Sequence, residues 1–127
     1  MPVAEDAKQL PLAEAEPGAT GLELLLGAAL KWGQQAKLGL PQTLAAVTSR
    51  PAAVLAASSP ASAPNIGGLG EGAPADLCLF APGELWRVEA AALRSRSHLT
   101  PFAGHEMPGR VRCTIVAGNV AFESAPG

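Results

Sequence analysis

The sequence predicts an α/β chain, with helices first and a small antiparallel β unit after them, and three observations predict it. Apolar residues recur at spacings of three and four between Leu22 and Trp32. A Ser/Pro/Ala segment, SSPASAPN, then interrupts the chain. Beyond it the apolar period shortens to two, in RVRCTIV, and a Gly-Asn pair leads into VAFE. A change of period from 3.6 to 2 marks the change from helix to strand. The 127 residues give room for one small domain, and 48% apolar content is enough for a core. Alanine dominates that content and aromatic residues make up 4%, so the core is shallow.

Each element can be read in order. Residues 1–20 are polar and proline-broken and read as an extended loop. TGLE supplies a helix start, in which Thr20 caps the free amide three residues on and Glu23 reaches back toward the amide of Thr20. Leu22, Leu25, Leu26, Ala29, Leu30 and Trp32 then form an apolar stripe, and Gly39 is the expected stop. Pro41 opens a second helix, PQTLAAVTSR, with Leu44 and Val47 on one side. Pro51 cannot continue that helix but suits the first turn of another, PAAVLAA. This gives a helical part over 1–57, a linker over 58–65 and a β part over 66–127. In the last part DLCLF, bounded by Pro74 and Pro82, reads as a strand covered on both faces, WRV as a second short strand, and EAAALRS as one or two helical turns. RVRCTIV sets Val111, Cys113 and Ile115 against Arg112 and Thr114, and Gly118-Asn119 is the expected hairpin turn.

Charge and hydropathy exclude two function classes. Nine Lys plus Arg against eleven Asp plus Glu give a net charge of -2, without the basic footprint that nucleic-acid binding requires. The longest apolar run, LELLLGAAL, falls far short of the roughly 20 residues that span a bilayer. The N-terminus MPVAEDAKQL lacks the basic start and apolar centre of a signal peptide, which predicts a soluble, cytoplasmic chain without a membrane partner.

Several residues invite a chemical reading. Two histidines and two cysteines match the count of a zinc site, yet zinc ligands come in local pairs, whereas Cys78 and Cys113 each stand alone in an apolar strand. Buried reduced thiols are the better account. His98 and His105 flank a Pro-Gly loop with Glu106 beside the second, but no nucleophile or orienting group accompanies them, and they read as surface loop residues. GGLGEG precedes a strand instead of following one, so its glycines serve turns and not a dinucleotide. Glu14 and Glu16 lie in a proline-flanked loop as solvated carboxylates, and Asp76 sits where its side chain can bond turn amides. From these residues alone no complete active site emerges.

The motifs together resemble a known family. GAPADLCLF followed by SHLTPFAGHEMPGRVRCTIVAGNVAFE resembles the ending of the cyclic amidohydrolases, which include dihydroorotase, dihydropyrimidinase and allantoinase, and TSRPAAVLAA resembles their Thr-x-x-Pro-Ala helix. DAKQLPLAEAEPGATGLELLL is similar to the segment after the eighth barrel strand of dihydroorotases. The resemblance covers almost the whole chain and is specific as a set; SSPASAPN departs from it.

It implies the fold of a metal-dependent amidohydrolase, a TIM barrel plus a small β-sandwich, of which this chain holds the last barrel helices and the C-terminal β unit. In that family zinc is held by histidines, a lysine or aspartate, and an aspartate that would lie just upstream of Met1. No metal ligand or catalytic residue is therefore expected in this chain, and isolated it is expected to be inactive. Val3 stands where catalytic dihydroorotases commonly carry a substrate-binding histidine, which is more similar to the non-catalytic homologues that assemble with aspartate carbamoyltransferase in pyrimidine biosynthesis. The alternative is part of a catalytic, zinc-dependent amidohydrolase. Of the family's substrate loop, Pro17 and Gly18 carry over as backbone that approaches substrate; a turn leading into the helix is the other account of them. Because the stripe from Leu22 to Leu30 resembles a face that packs on a barrel, and the family's β unit draws further strands from elsewhere, self-association is also expected.

Overall fold

A computed structural model describes residues 9, 11, 13–14, 18–58 and 68–124. The segment bearing Val3, Glu16, Pro17 and the linker beyond Ser58 lie outside them. A 3-10 turn, Leu22–Leu24, leads into α1 (Leu25–Gln35), followed by α2 (Leu40–Val47) and α3 (Ser49–Ser58). The β part holds β1 (Leu77–Arg87), a 3-10 turn at Ala90–Ala92, β2 (Glu106–Val116) and β3 (Asn119–Glu123), in one antiparallel sheet of order β1-β2-β3. The helices-then-strands order is as the sequence predicts. Among the described residues no helix is long and apolar enough to cross a membrane.

The helix boundaries differ from the reading of TGLE. Thr20 makes no cap, and the helix starts through Gly21 without a side-chain hydrogen bond. At its other end α1 stops before Gly39. Lys37 takes a left-handed φ of 55°, its amide donates to Gln34 O and that of Leu38 to Gly33 O. This is a Schellman ending with lysine in the place glycine usually takes. Gly39 instead begins α2, where its amide donates to Gln42 Oε1 and its carbonyl accepts from Thr43. Pro41 and Pro51 sit in the first turns of α2 and α3, where a missing N–H leaves no helical bond unmade.

In the sheet, DLCLF and WRV are one strand and not two. Pro82 has no amide to pair, so the ladder runs from Ala81↔Arg110 to Leu85↔Pro108 across an irregularity that keeps the strand going. Nor is the strand covered on both faces: Leu79 is 50% exposed, and Cys78 is exposed too. The expected buried thiols are therefore corrected to an exposed Cys78 and a half-buried Cys113. The hairpin turn falls one residue early, at Ala117-Gly118, whose φ values of 48° and 80° are those of a type I′ turn. Asp76 selects that position, since its Oδ1 accepts from the amide of Ala117 at 2.7 Å while Gly118 donates to Ala75 O. The turn-amide role expected of Asp76 is thus present.

The core joins the two parts. Leu24, Val88, Leu93 and Met107 bury together, with Trp86 and Phe102 packed against them. Each such side chain is worth about 1.5–3 kcal/mol, so the stabilisation is modest. The stripe expected on α1 is only partly buried: Leu24, Gly27, Ala29, Leu30 and Gly33 face inward, whereas Leu22, Leu25 and Trp32 are exposed, Leu22 at 86%. The short 3-10 start shifts the inward face, and α1 is left apolar on a side that nothing described covers.

Close approach fixes how α1 meets its neighbours. A Cβ on Gly33 would overlap Oγ1 of Thr43 and lie 2.6 Å from its Cγ2, and Thr43 is fully buried. Alanine would gain about 1 kcal/mol in helix propensity. Overpacking costs about 1–3 kcal/mol, and here the obstructing atoms belong to a short branched side chain that cannot swing away. Gly33→Ala is therefore expected to lower stability by about 1 kcal/mol net, read as a fall of about 3–5 °C in the calorimetric midpoint.

Candidate functional site

The segment that holds Gly18 runs over the loop from Ser97 to Pro101. Gly18 has a φ of 127°, which side chains rarely tolerate. With Ala19, Leu99, Thr100 and Pro101 it borders a shallow, open, mainly apolar hollow. Beneath it Thr20 Oγ1 donates to Ser97 O at 2.9 Å and the Thr20 amide donates to Leu99 O at 2.7 Å. Ser97 Oγ in turn accepts from Leu99 N. Both Thr20 and Ser97 are buried, so their polar atoms need these partners.

Glu23 does not reach back to Thr20, as the capping reading expects. Its carboxylate accepts from the amides of Arg94 and Ser95 at 3.0 and 2.8 Å and from Ser95 Oγ at 2.6 Å. Partial desolvation raises its pKa, but these hydrogen bonds and the nearby Arg94 charge outweigh that and hold it below the usual carboxylate range. Arg94 meanwhile lies over the ring of Phe122, 4.8 Å from its centroid, so one short loop ties the start of the helical part to β3.

The remaining candidates are dispersed. His98 is half-buried, with Nδ1 2.8 Å from Ala90 O, the geometry of an N–H donating to a carbonyl. His105 is exposed and meets Phe102 edge to face, so the surface-loop reading holds for it and only in part for His98. Cys78 pairs with Thr114 and Leu79 with Cys113, which puts the two thiols on opposite faces of the sheet. Desolvation raises the Cys78 thiol, a hydrogen bond to Thr114 opposing it and Cys113 adding to it. Glu71-Gly72 form a turn, with Gly72 at a φ of 83°, in keeping with the turn reading of GGLGEG, and Glu14 is an exposed turn residue. Among the described residues no three His, Cys, Asp or Glu side chains converge. They do not fit the tetrahedral donor set of zinc.

What sequence reading misses here is the pairing of two distant loops. Pro-Gly and Thr-Pro-Phe are each visible as motifs, but only the fold sets Gly18 beside Thr100 and Pro101.

Relatives place this arrangement. The chain is 41% identical to a dihydroorotase-like protein of Pseudomonas aeruginosa, over 97% of this chain and 27% of that protein, and likewise 41% identical to one of Pseudomonas putida. It is 34% identical to a dihydroorotase of Citrifermentans bemidjiense over 94% of this chain. Over nearly its whole length the chain is thus similar to dihydroorotase-like proteins. Its fold is similar to that of a D-hydantoinase, with a TM-score of 0.79 and 22% identity, over 94% of this chain and 25% of that one. No protein-family profile matches. The chain spans about a quarter of the length of the curated relatives it matches, in keeping with the C-terminal part of a dihydroorotase-like protein.

In this dihydroorotase-like chain the Glu23 contacts carry a pH dependence whose sign is fixed. A carboxylate with a lowered folded pKa adds stability that is present above its unfolded pKa and lost as pH falls through the folded value. Glu23→Gln is expected to cost about 1 kcal/mol at pH 7, a figure discounted for exposure. The difference from the unmodified chain should shrink toward zero as acid protonates Glu23, measured by urea unfolding from pH 7 to pH 3.

Proposed function

We propose that this chain is the framework end of a dihydroorotase-like protein of pyrimidine biosynthesis. It lends packing surface without hydrolytic chemistry, and in the full-length protein it serves assembly with aspartate carbamoyltransferase. The observation that carries the reading is the order of identities: 41% to two proteins named dihydroorotase-like, against 29–36% to proteins named dihydroorotase. His98 Nδ1 is held by a backbone carbonyl, and Cys78 and Cys113 face apart, so these residues are arranged to pack and not to activate water. Val3, where catalytic relatives are expected to carry histidine, offers a carboxylate substrate no hydrogen bond.

The 34% identity to a dihydroorotase favours a second reading, part of a catalytic amidohydrolase that hydrolyses cyclic amides with zinc. There Pro17 and Gly18 would approach substrate as backbone. The isolated chain serves as the control, and the extended product separates the readings. Isolated, the chain dialysed against zinc is expected to retain no stoichiometric metal and to hydrolyse dihydroorotate no faster than buffer. With the reading frame extended upstream of Met1, the product is expected to co-purify with aspartate carbamoyltransferase. Turnover without association would reject the scaffold reading in favour of the catalytic one.

The exposed side of α1 adds an expectation about the isolated chain. Leu22, Leu25 and Trp32 lie open, and an exposed apolar patch on a chain with so small a core favours association between copies. Size-exclusion chromatography with light scattering should show mass rising with concentration. A sharp monomer at high concentration that binds no apolar dye would contradict this.

A further inference from the structure

Thr20 does something the helix does not need. The 3-10 turn starts after Gly21 without its hydroxyl, and the side chain turns instead to Ser97, 77 residues away. A hydroxyl buried without a partner costs free energy, so a threonine at 7% exposure with both its Oγ1 and its amide engaged marks a position where polarity serves a purpose. The loop it grips is the one whose Leu99, Thr100 and Pro101 share a hollow with Gly18. Gly18 takes a φ of 127°, which glycine adopts freely, so its place is fixed by neighbouring contacts and not by its own backbone preference. On the C-terminal side what fixes it is Thr20, two residues on.

We propose that Thr20 is a positioning residue: it sets the backbone of Gly18 against the Ser97–Pro101 loop, so that a ligand reaching Gly18 meets a surface shared by both loops. The proposal rests on the second reading above, in which Gly18 approaches substrate as backbone, and its test keeps the two apart.

The test is amide exchange by NMR on the whole 127-residue chain. In the unmodified protein the Thr20 amide should be protected at least about a hundredfold over an open loop. Thr20→Val keeps the shape and removes the donor. It should shift the Gly18 resonance and speed exchange at the Thr20-position amide about tenfold, roughly one hydrogen bond, while Val111 and Cys113 are unchanged. Thr20→Ser should restore both. An unprotected Thr20 amide in the unmodified chain, or an unaltered Gly18 in Thr20→Val, would overturn the proposal; if Thr20→Val does not fold, the unmodified amide and Thr20→Ser decide. Titration with dihydroorotate then addresses the underlying reading. A Gly18 resonance that moves supports it, whereas one that stays fixed with Thr20 protected rejects ligand approach and with it the positioning role, leaving only an anchored loop.

Discussion

The close approach of α1 to the first half of β2 is the constraint on which the rest of the structure depends. Gly27 lies where a Cβ would come within 3.0 Å of Met107 Cβ, and a Cβ on Gly109 would overlap Cδ1 of Leu30. Two absent side chains, one on each element, let helix and strand meet. Through that contact Leu24 reaches Met107, Val88 and Leu93 and the small core closes. Gly109 has a second reason to be glycine, a φ of 85°. Without this approach the helical and β parts would each keep an open apolar face, and neither is large enough to stand alone.

Polar contacts around the rim then set the angle at which the parts meet. Glu23 holds the amides of Arg94 and Ser95, Thr20 holds the loop at Ser97 and Leu99, and Lys31 Nζ donates to Glu106 O. All three groups belong to the start or the middle of the first helical segment, and all three partners belong to the β part. Thr20 just before the helix, and Glu23 and Lys31 within it, are thus fastened to the β part, and of their partners Leu99 borders the hollow at Gly18.

Legibility in the sequence followed the range of the interaction. Local signals were readable: Pro41 and Pro51 as helix openings, the period-two run through Cys113, and Asp76 as a binder of turn amides. Errors arose where a distant partner outcompeted a local one. Thr20 and Glu23 have the spacing of a capping box, yet their side chains bond residues more than 70 positions away. Gly39 looked like a stop because glycine commonly ends helices, but Lys37 took the left-handed conformation first. Pro82 suggested a strand end, and the sheet absorbed it as an irregularity instead. The hollow at Gly18 was half legible, as two family motifs whose adjacency only the folded chain supplies.

The most direct test of the central contact is a double-mutant cycle on Leu30 and Gly109, followed by urea unfolding. Leu30→Ala removes the methyl that an alanine at 109 would strike, while the backbone strain at 109 is the same in either background. Gly109→Ala should therefore cost less in the Leu30→Ala chain than in the unmodified one, with a coupling of about 1 kcal/mol or more. Equal costs in the two backgrounds would mean that Leu30 and Gly109 do not meet, and would contradict the packing of α1 on β2.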